Sequence, residues 1–307
     1  MLCLGKTDKG MRMQNLAVSK DSKIQLGKRL QEICKLPKVP SLVKTAGNQG
    51  LTYIMNKETI VKIPINAAQI KQLMAMASLF EILKHKTKVQ TPALKVYQPA
   101  VADKKGEAMT IGCYPIIKGH VFAEMATFYD QDIDFRKNAV WQLGAFVADM
   151  HTLTPSQVDL LKIGTARDYL HVILFDEFKN ETRDVPVHRR KALLEGVYNR
   201  IFDGCNSKTL CHMDLHIGNM CFDDKWEKLT GVFDFGSAIV APKELEYMII
   251  STVYDEELQA FKAGYKNQCQ SEADFESPQF RRVCTYLSPF TRSLKLPALI
   301  REIKQKI

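Results

Sequence analysis

The chain has 307 residues, 46% apolar and 25% charged, which is ordinary for a globular protein and enough for one large domain or two lobes sharing a cleft. No apolar run reaches the ~18 residues of a membrane span, and the opening MLCLGKTDKGMRM lacks the apolar stretch of a secretory leader. The net charge of +9 suits anionic ligands such as nucleotides, while the absence of a basic tract interleaved with aromatics excludes a specific nucleic-acid partner.

Residues 1–40 are rich in lysine and polar side chains, with one amphipathic stretch from Ile24 to Cys34 that Pro37 and Pro40 end. From Ser41 the periodicity becomes two. Ser41–Thr45, the small-residue loop Ala46-Gly47-Asn48-Gln49-Gly50, Leu51–Met55, a turn at Asn56-Lys57 and Thr59–Ile63 read as strand, loop, strand, turn, strand. Backbone N–H groups around Gly47 and Gly50 can approach phosphate oxygens closely. Lys62 alternates with Val61 and Ile63, so it lies on the other face of its strand.

Ala67–Lys86 has the period of a helix, with Ile70, Leu73, Met74, Leu79, Phe80 and Leu83 on its apolar side and Glu81 as its only carboxylate. Val89–Tyr97 and Ala108–Tyr114 would complete a small sheet. Helical spacing then dominates: Val140 to Met150, ending at His151, which reads as a packed core residue; Val187–Phe202; Leu258, Phe261 and Tyr265; and a last basic helix from Leu294 to Ile307. Eight scattered cysteines form no C-x-x-C pair, which fits a reducing cytoplasm better than a disulfide framework.

The chemistry concentrates in Leu210–Gly236, LCHMDLHIGNMCFDDKWEKLTGVFDFG. His212, Asp214 and Asn219 form H-x-D-x-x-x-x-N, and Asp234-Phe235-Gly236 follows. Mg²⁺ prefers oxygen ligands and is held by one or two carboxylates together with substrate phosphates. Asn219 and Asp234 supply such oxygens, and Asp214 can face an incoming hydroxyl and accept its proton. Met220–Phe222 and Leu229–Phe233 read as a hairpin turning at Asp223-Asp224-Lys225, which would bring Asn219 and Asp234 together. A zinc site from Cys211, His212, His216 and Cys221 competes, but it lacks the paired-cysteine knuckle of structural zinc sites.

HMDLHIGNM followed by LTGVFDFGSA resembles the catalytic core of the aminoglycoside phosphotransferase and choline kinase-like family, whose usual wording is close to HGDLHPGN and GVIDFGDA. Met213 replaces the usual Gly and Ile217 the usual Pro, and neither change removes a functional group. His216-Ile217-Gly218 favours this family over eukaryotic protein kinases, which usually carry Lys-Pro there. Ala241-Pro242 follows Gly236 after only a few residues, which leaves no room for a long activation loop. The resemblance covers roughly residues 41 to 265.

It implies an α+β, bilobal protein-kinase-like fold. An N-terminal extension (1–40) would precede a nucleotide-binding lobe of antiparallel strands (41–114) and a mostly helical catalytic and substrate-binding lobe (115–307). ATP and Mg²⁺ are the implied cofactors. Gly47 and Gly50 would cover the phosphates, Lys62 would grip the α- and β-phosphates, and Glu81 would hold Lys62. Tyr114 and Ile116 would belong to a hinge (Tyr114–Gly119) whose main chain reads the adenine edge. Asn219 and Asp234 would bind Mg²⁺, and Asp214 would be catalytic. His212 would brace the Asp-Phe-Gly backbone, and Glu246 or Glu244 would steady the catalytic loop.

The implied partner is a small-molecule hydroxyl acceptor: an aminoglycoside, a choline-like compound, a sugar or an amino alcohol. The positive net charge weighs against a polycation, whereas Asp255-Glu256-Glu257 would suit one if it lined the pocket. No oligomeric state is written in the sequence. Two other readings stand beside this one: a compact atypical protein kinase, and a nucleotide-binding pseudokinase acting as an interaction module. The intact Asp214, Asn219 and Asp234 weigh against the second.

Overall fold

Alternating apolar residues build the first of two structural units. The computed structural model describes residues 20–45, 51–98, 110–161, 163–173 and 179–306. The first unit runs to Glu81 and resumes from Pro92 to Ile117. It contains α1 (Lys20–Ile33), β1 (Leu42–Thr45), β2 (Leu51–Met55), β3 (Thr59–Ile63), α2 (Ala67–Leu83), β4 (Lys95–Tyr97) and β5 (Ile111–Pro115). The strands form an antiparallel sheet in the order β1-β2-β3-β5-β4.

One face of that sheet buries Tyr53, Met55, Val61, Ile63, Ile111 and Cys113 around Leu30 of α1, with Leu26, Ile33 and Cys34 packed beside them. Lys62 projects from the other face, opposite Thr52 on β2 and Gly112 on β5. A Cβ at Gly112 would come 2.6 Å from Leu73 Cδ1. The glycine thus lets α2 lie against the lysine-bearing face.

Helix α2 buries Leu73, Met76, Leu79, Phe80 and Leu83 but leaves Met74 exposed. Met74 lies one residue, about 100° of rotation, past Leu73 and falls off the buried stripe. The strand expected over Val89–Tyr97 is also shorter. Only Lys95–Tyr97 joins the sheet, because Pro92 interrupts the run. Gln90 instead donates to the Thr230 carbonyl and accepts from the Val232 N–H, both at 2.9 Å. It belongs with the second unit.

The second unit takes residues 82–91 and everything from Lys118 onward. Its elements are α3 (Met125–Tyr129), α4 (Ile133–His151), α5 (Pro155–Leu160), β6 (Gly164–Thr165), α6 (Ala166–Ile173), α7 (Val187–Ile201), β7 (Thr209–Cys211), β8 (Met220–Phe222), β9 (Leu229–Val232), β10 (Ile239–Ala241), α8 (Lys243–Val253), α9 (Leu258–Cys269), α10 (Pro278–Leu287) and α11 (Arg292–Lys304). β10 pairs with β6 in parallel and with β7 antiparallel, and β8 pairs with β9. Local chemistry sets the helix starts. Asp132 accepts the Asp134 and Phe135 N–H groups at 2.9 Å, and Thr154 with Gln157 closes a capping box. The fold is α+β, and no helix among the described residues is long and apolar enough to cross a membrane.

Helices α4 and α9 meet backbone to backbone. A Cβ on Gly144 would lie 2.2 Å from the Phe261 carbonyl oxygen, and one on Gly264 would lie 1.9 Å from that of Trp141. The crossing also places Arg136 of α4 at 2.7 Å from Glu257 and 3.0 Å from Glu256. Glu257 is buried, so an unpaired charge there would be costly. Two of the three carboxylates of Asp255-Glu256-Glu257 are thus tied to α4.

Gly264→Ala should destabilise the protein by about 2 kcal/mol or more, because a methyl group has no room against a backbone carbonyl. A urea unfolding midpoint measures this, and an unchanged midpoint would refute the close crossing.

Candidate active site

The ends of one hairpin set the geometry. Asn219 directly precedes β8 and Asp234 closely follows β9. Met220 pairs with Val232, and the Phe233 N–H donates to the Asn219 carbonyl at 3.0 Å. At the far end Asp223 Oδ1 accepts the N–H groups of Glu227 (2.8 Å) and Lys228 (3.2 Å). Helix α4 holds the hairpin from outside. Gln142 accepts from the Leu229 N–H, and both Gln142 and Asn138 donate to the Glu227 carbonyl, each at 2.9 Å.

The loop between β7 and the hairpin hangs from one buried carboxylate. Glu246 of α8 is fully buried and accepts the main-chain N–H groups of His212 and Met213. Burial pushes its pKa up to about 7, against the pull of those two donors. Of the two acidic candidates for this brace, the structure selects Glu246; Glu244 accepts from the Ser207 hydroxyl at 3.4 Å. Between the two donors and Asp214 the chain makes a left-handed bend at Met213 (φ +67°).

His212 ties the two halves of the site together. Its Nε2 donates to the Phe233 carbonyl at 3.1 Å, its Nδ1 accepts the Asp214 N–H at 3.3 Å, and its ring lies 4.3 Å from that of Phe235. These roles require a neutral ring, and burial holds its pKa down to about 4. Asp234 takes a left-handed conformation (φ +61°) at the head of the turn Phe235–Ser237, which Asp tolerates better than most residues.

Asp214, Asn219 and Asp234 are thereby brought together. Asn219 donates from Nδ2 to the Asp214 carbonyl (2.8 Å) and to Asp214 Oδ2 (3.2 Å), which leaves Oδ1 as the acceptor end of the amide. Burial raises the Asp214 pKa and Asp234 adds to the rise, while His216 and Asn219 oppose it. The Asn219 amide oxygen and the Asp234 carboxylate form a hard-oxygen donor set that fits Mg²⁺ and not a thiophilic metal. The buried trio His151, Cys211 and Glu246 places ligand atoms within 4.8 Å of one another. Both Glu246 oxygens there are engaged by the loop, and His151 Nδ1 lies 3.1 Å from the Tyr265 hydroxyl.

The remaining predicted residues lie in the first unit or outside the described residues. Gly47 and Gly50 fall outside them. Lys62 is partly buried on β3, and Glu81 is exposed in the last turn of α2. The Ile116 N–H donates to the Glu58 carbonyl at 2.8 Å, continuing the β3–β5 ladder past the Tyr114–Ile60 pair. Tyr114 and Ile116 therefore turn their main chain toward β3, and it is Pro115 and Ile117 whose main chain faces the other way. Sequence reasoning missed Tyr169 of α6. Burial pushes its phenol up to about 12; Arg292 opposes the rise, and Glu246 and Asp214 add to it.

The buried neutral His212 gives a pH signature. Its folded pKa is depressed from 6.5 to about 4, so its contribution to stability is complete above 6.5 and is lost as pH falls through 4. Relative to His212→Gln, the wild type should lose on the order of 3 kcal/mol between those limits. Urea unfolding of both proteins across this range tests it; parallel pH profiles would contradict a neutral buried imidazole.

Residues 45–280 match the phosphotransferase enzyme family. The fold is similar to the GDP complex of wild-type aminoglycoside 2'-phosphotransferase-IIIa, with TM-score 0.62 and 15% identity over 92% of this chain and 99% of that one. It is also similar to ADP-bound aminoglycoside phosphotransferase APH(2'')-Ib, with TM-score 0.55 and 17% identity over 92% and 86% of the two chains. Macrolide 2'-phosphotransferase MphH from Brachybacterium faecium gives TM-score 0.52 and 17% identity over 86% of each chain. Among curated proteins no sequence matches. The family match spans most of the chain, and the solved structures share its architecture. The chain belongs to the phosphotransferase enzyme family and is a phosphotransferase acting on an alcohol group.

Proposed function

We propose that the protein is an ATP- and Mg²⁺-dependent kinase that transfers the γ-phosphoryl group to a hydroxyl of a small molecule. The observation that carries this is the triad of Asp214, Asn219 and Asp234, assembled by one hairpin and one braced loop. Asp214 would meet the acceptor hydroxyl and take its proton as the new O–P bond forms. Asn219 Oδ1 and Asp234 would hold Mg²⁺, which when bound neutralises charge on the β- and γ-phosphates. Lys62 would grip the α- and β-phosphates, with Glu81 as its holder and Gly47 and Gly50 over them. The main chain around Pro115 and Ile117 would read the base.

The acceptor reading stays with the small-molecule classes above. The +9 charge and the pairing of Glu256 and Glu257 with Arg136 favour acceptors less cationic than aminoglycosides. A protein acceptor is disfavoured by the short path from Gly236 through β10 into α8 at Lys243, which has no activation loop to bind a peptide. The described cysteines are all free, which supports the proposed cytoplasmic location.

ADP release should be scored with kanamycin, erythromycin, choline and simple sugars. Asp214→Asn should lower turnover on the accepted compound by about a thousandfold while MgATP binding, read by thermal shift, stays within about twofold. Asp234→Ala should abolish the Mg²⁺-dependent part of that shift. Undiminished turnover in Asp214→Asn, or no response of the wild type to MgATP, would overturn the assignment.

A further inference from the structure

The Asp214 carboxylate has two different neighbours on its own loop. Asn219 Nδ2 donates to Oδ2 at 3.2 Å, and His216 Nε2 lies 3.8 Å from Oδ1. The imidazole is seated by a local device. Its Nδ1 accepts the Gly218 N–H at 3.1 Å, which in the neutral ring leaves the proton on Nε2, the nitrogen turned toward Asp214. Gly218 also has to be small. A Cβ there would come 2.8 Å from the His216 Cε1 and 3.0 Å from its Nδ1, displacing the ring. Both side chains keep an open side, with 41% of His216 and 43% of Asp214 exposed, so an acceptor can reach the carboxylate from a side the imidazole does not cover.

We propose that His216 is a positioning residue for phosphoryl transfer. Its Nε2–H steadies Asp214 Oδ1, as Asn219 steadies Oδ2, so that the carboxylate presents one fixed orientation to the acceptor hydroxyl. The proposal rests on the reading of Asp214 as the group that meets the acceptor. His216 donates a hydrogen bond and transfers no proton. The 3.8 Å separation exceeds a hydrogen bond, and catalytic contacts of this kind tighten when substrate binds. Gly218 acts only through the ring it seats.

The test is a coupled variant set in the MgATP turnover assay, with the accepted compound of the panel or with water as acceptor. His216→Leu should lower kcat about 10- to 100-fold, the range for one charge-assisted hydrogen bond, with KM for ATP within about twofold. His216→Gln, whose amide can present an N–H in place of Nε2, should recover part of the loss. Gly218→Ala should fall in the same direction, and the double variant His216→Leu/Gly218→Ala should be no slower than His216→Leu, because the glycine works through the imidazole. A His216→Leu enzyme as fast as wild type, additive losses in the double variant, or a KM for ATP that rises as far as kcat falls would overturn the proposal.

Nitrogen-15 histidine NMR of the full chain gives a readout that does not need turnover. The His216 signals, assigned by their loss in His216→Gln, should show the Nε2–H tautomer; the Nδ1–H tautomer would overturn it. Failure of the kinase reading looks different: a wild type that never releases ADP, or an Asp214→Asn variant that does so undiminished, leaves the tautomer result standing on its own.

Discussion

The catalytic loop depends on a single buried carboxylate. Removing an ionised carboxylate from water costs several kcal/mol, and two main-chain N–H donors on Glu246 offset part of that. Its raised pKa shows that burial outweighs the donors. The interaction persists because it fixes direction: with the His212 and Met213 N–H groups held, the next peptide must turn, and Asp214 is delivered to the open side. The turn passes through a left-handed Met213, a conformation that costs a side chain about 1–2 kcal/mol. Met213 is 6% exposed, and burying such a side chain contributes about 1.5–3 kcal/mol. Packing of the Met213 side chain thus offsets the backbone cost.

From that anchor the site is built by short-range geometry. His212 links the loop to the Phe233 carbonyl, one residue before Asp234, while the β8–β9 ladder delivers Asn219 and Asp234 side by side. Asp234 lies close enough to disfavour the charge on Asp214, and a magnesium ion held as proposed by Asn219 and Asp234 would relieve that. On the proposed reading, Asp214, Asn219 Oδ1 and Asp234 would meet the substrate and its metal. Positioning and charge neutralisation are what phosphoryl transfer asks of a protein.

The elements legible in the sequence were those set by near neighbours. The β1–β2–β3 strands followed from alternation, and the hairpin from two apolar runs flanking Asp223-Asp224-Lys225. What escaped was set by distant contacts. Helix α8 is buried from Glu244 through Ile250, so periodicity could not choose between Glu244 and Glu246. The direction of the Ile116 N–H depends on the parity of the β3–β5 register, which composition does not carry. Gln90 pairs with Thr230 and Val232 far along the chain, which local periodicity does not carry, and nothing near Glu256 and Glu257 in the sequence announces Arg136.

The most direct test of this account is the MgATP turnover of Glu246→Gln, because a glutamine must present one amide N–H where the loop needs a second acceptor. With the brace broken, kcat should fall by more than about a hundredfold, in line with the 3–5 kcal/mol typical of disrupting a buried charged network. A Glu246→Gln enzyme that turns over as fast as the wild type would contradict the claim that this carboxylate holds the catalytic loop in place.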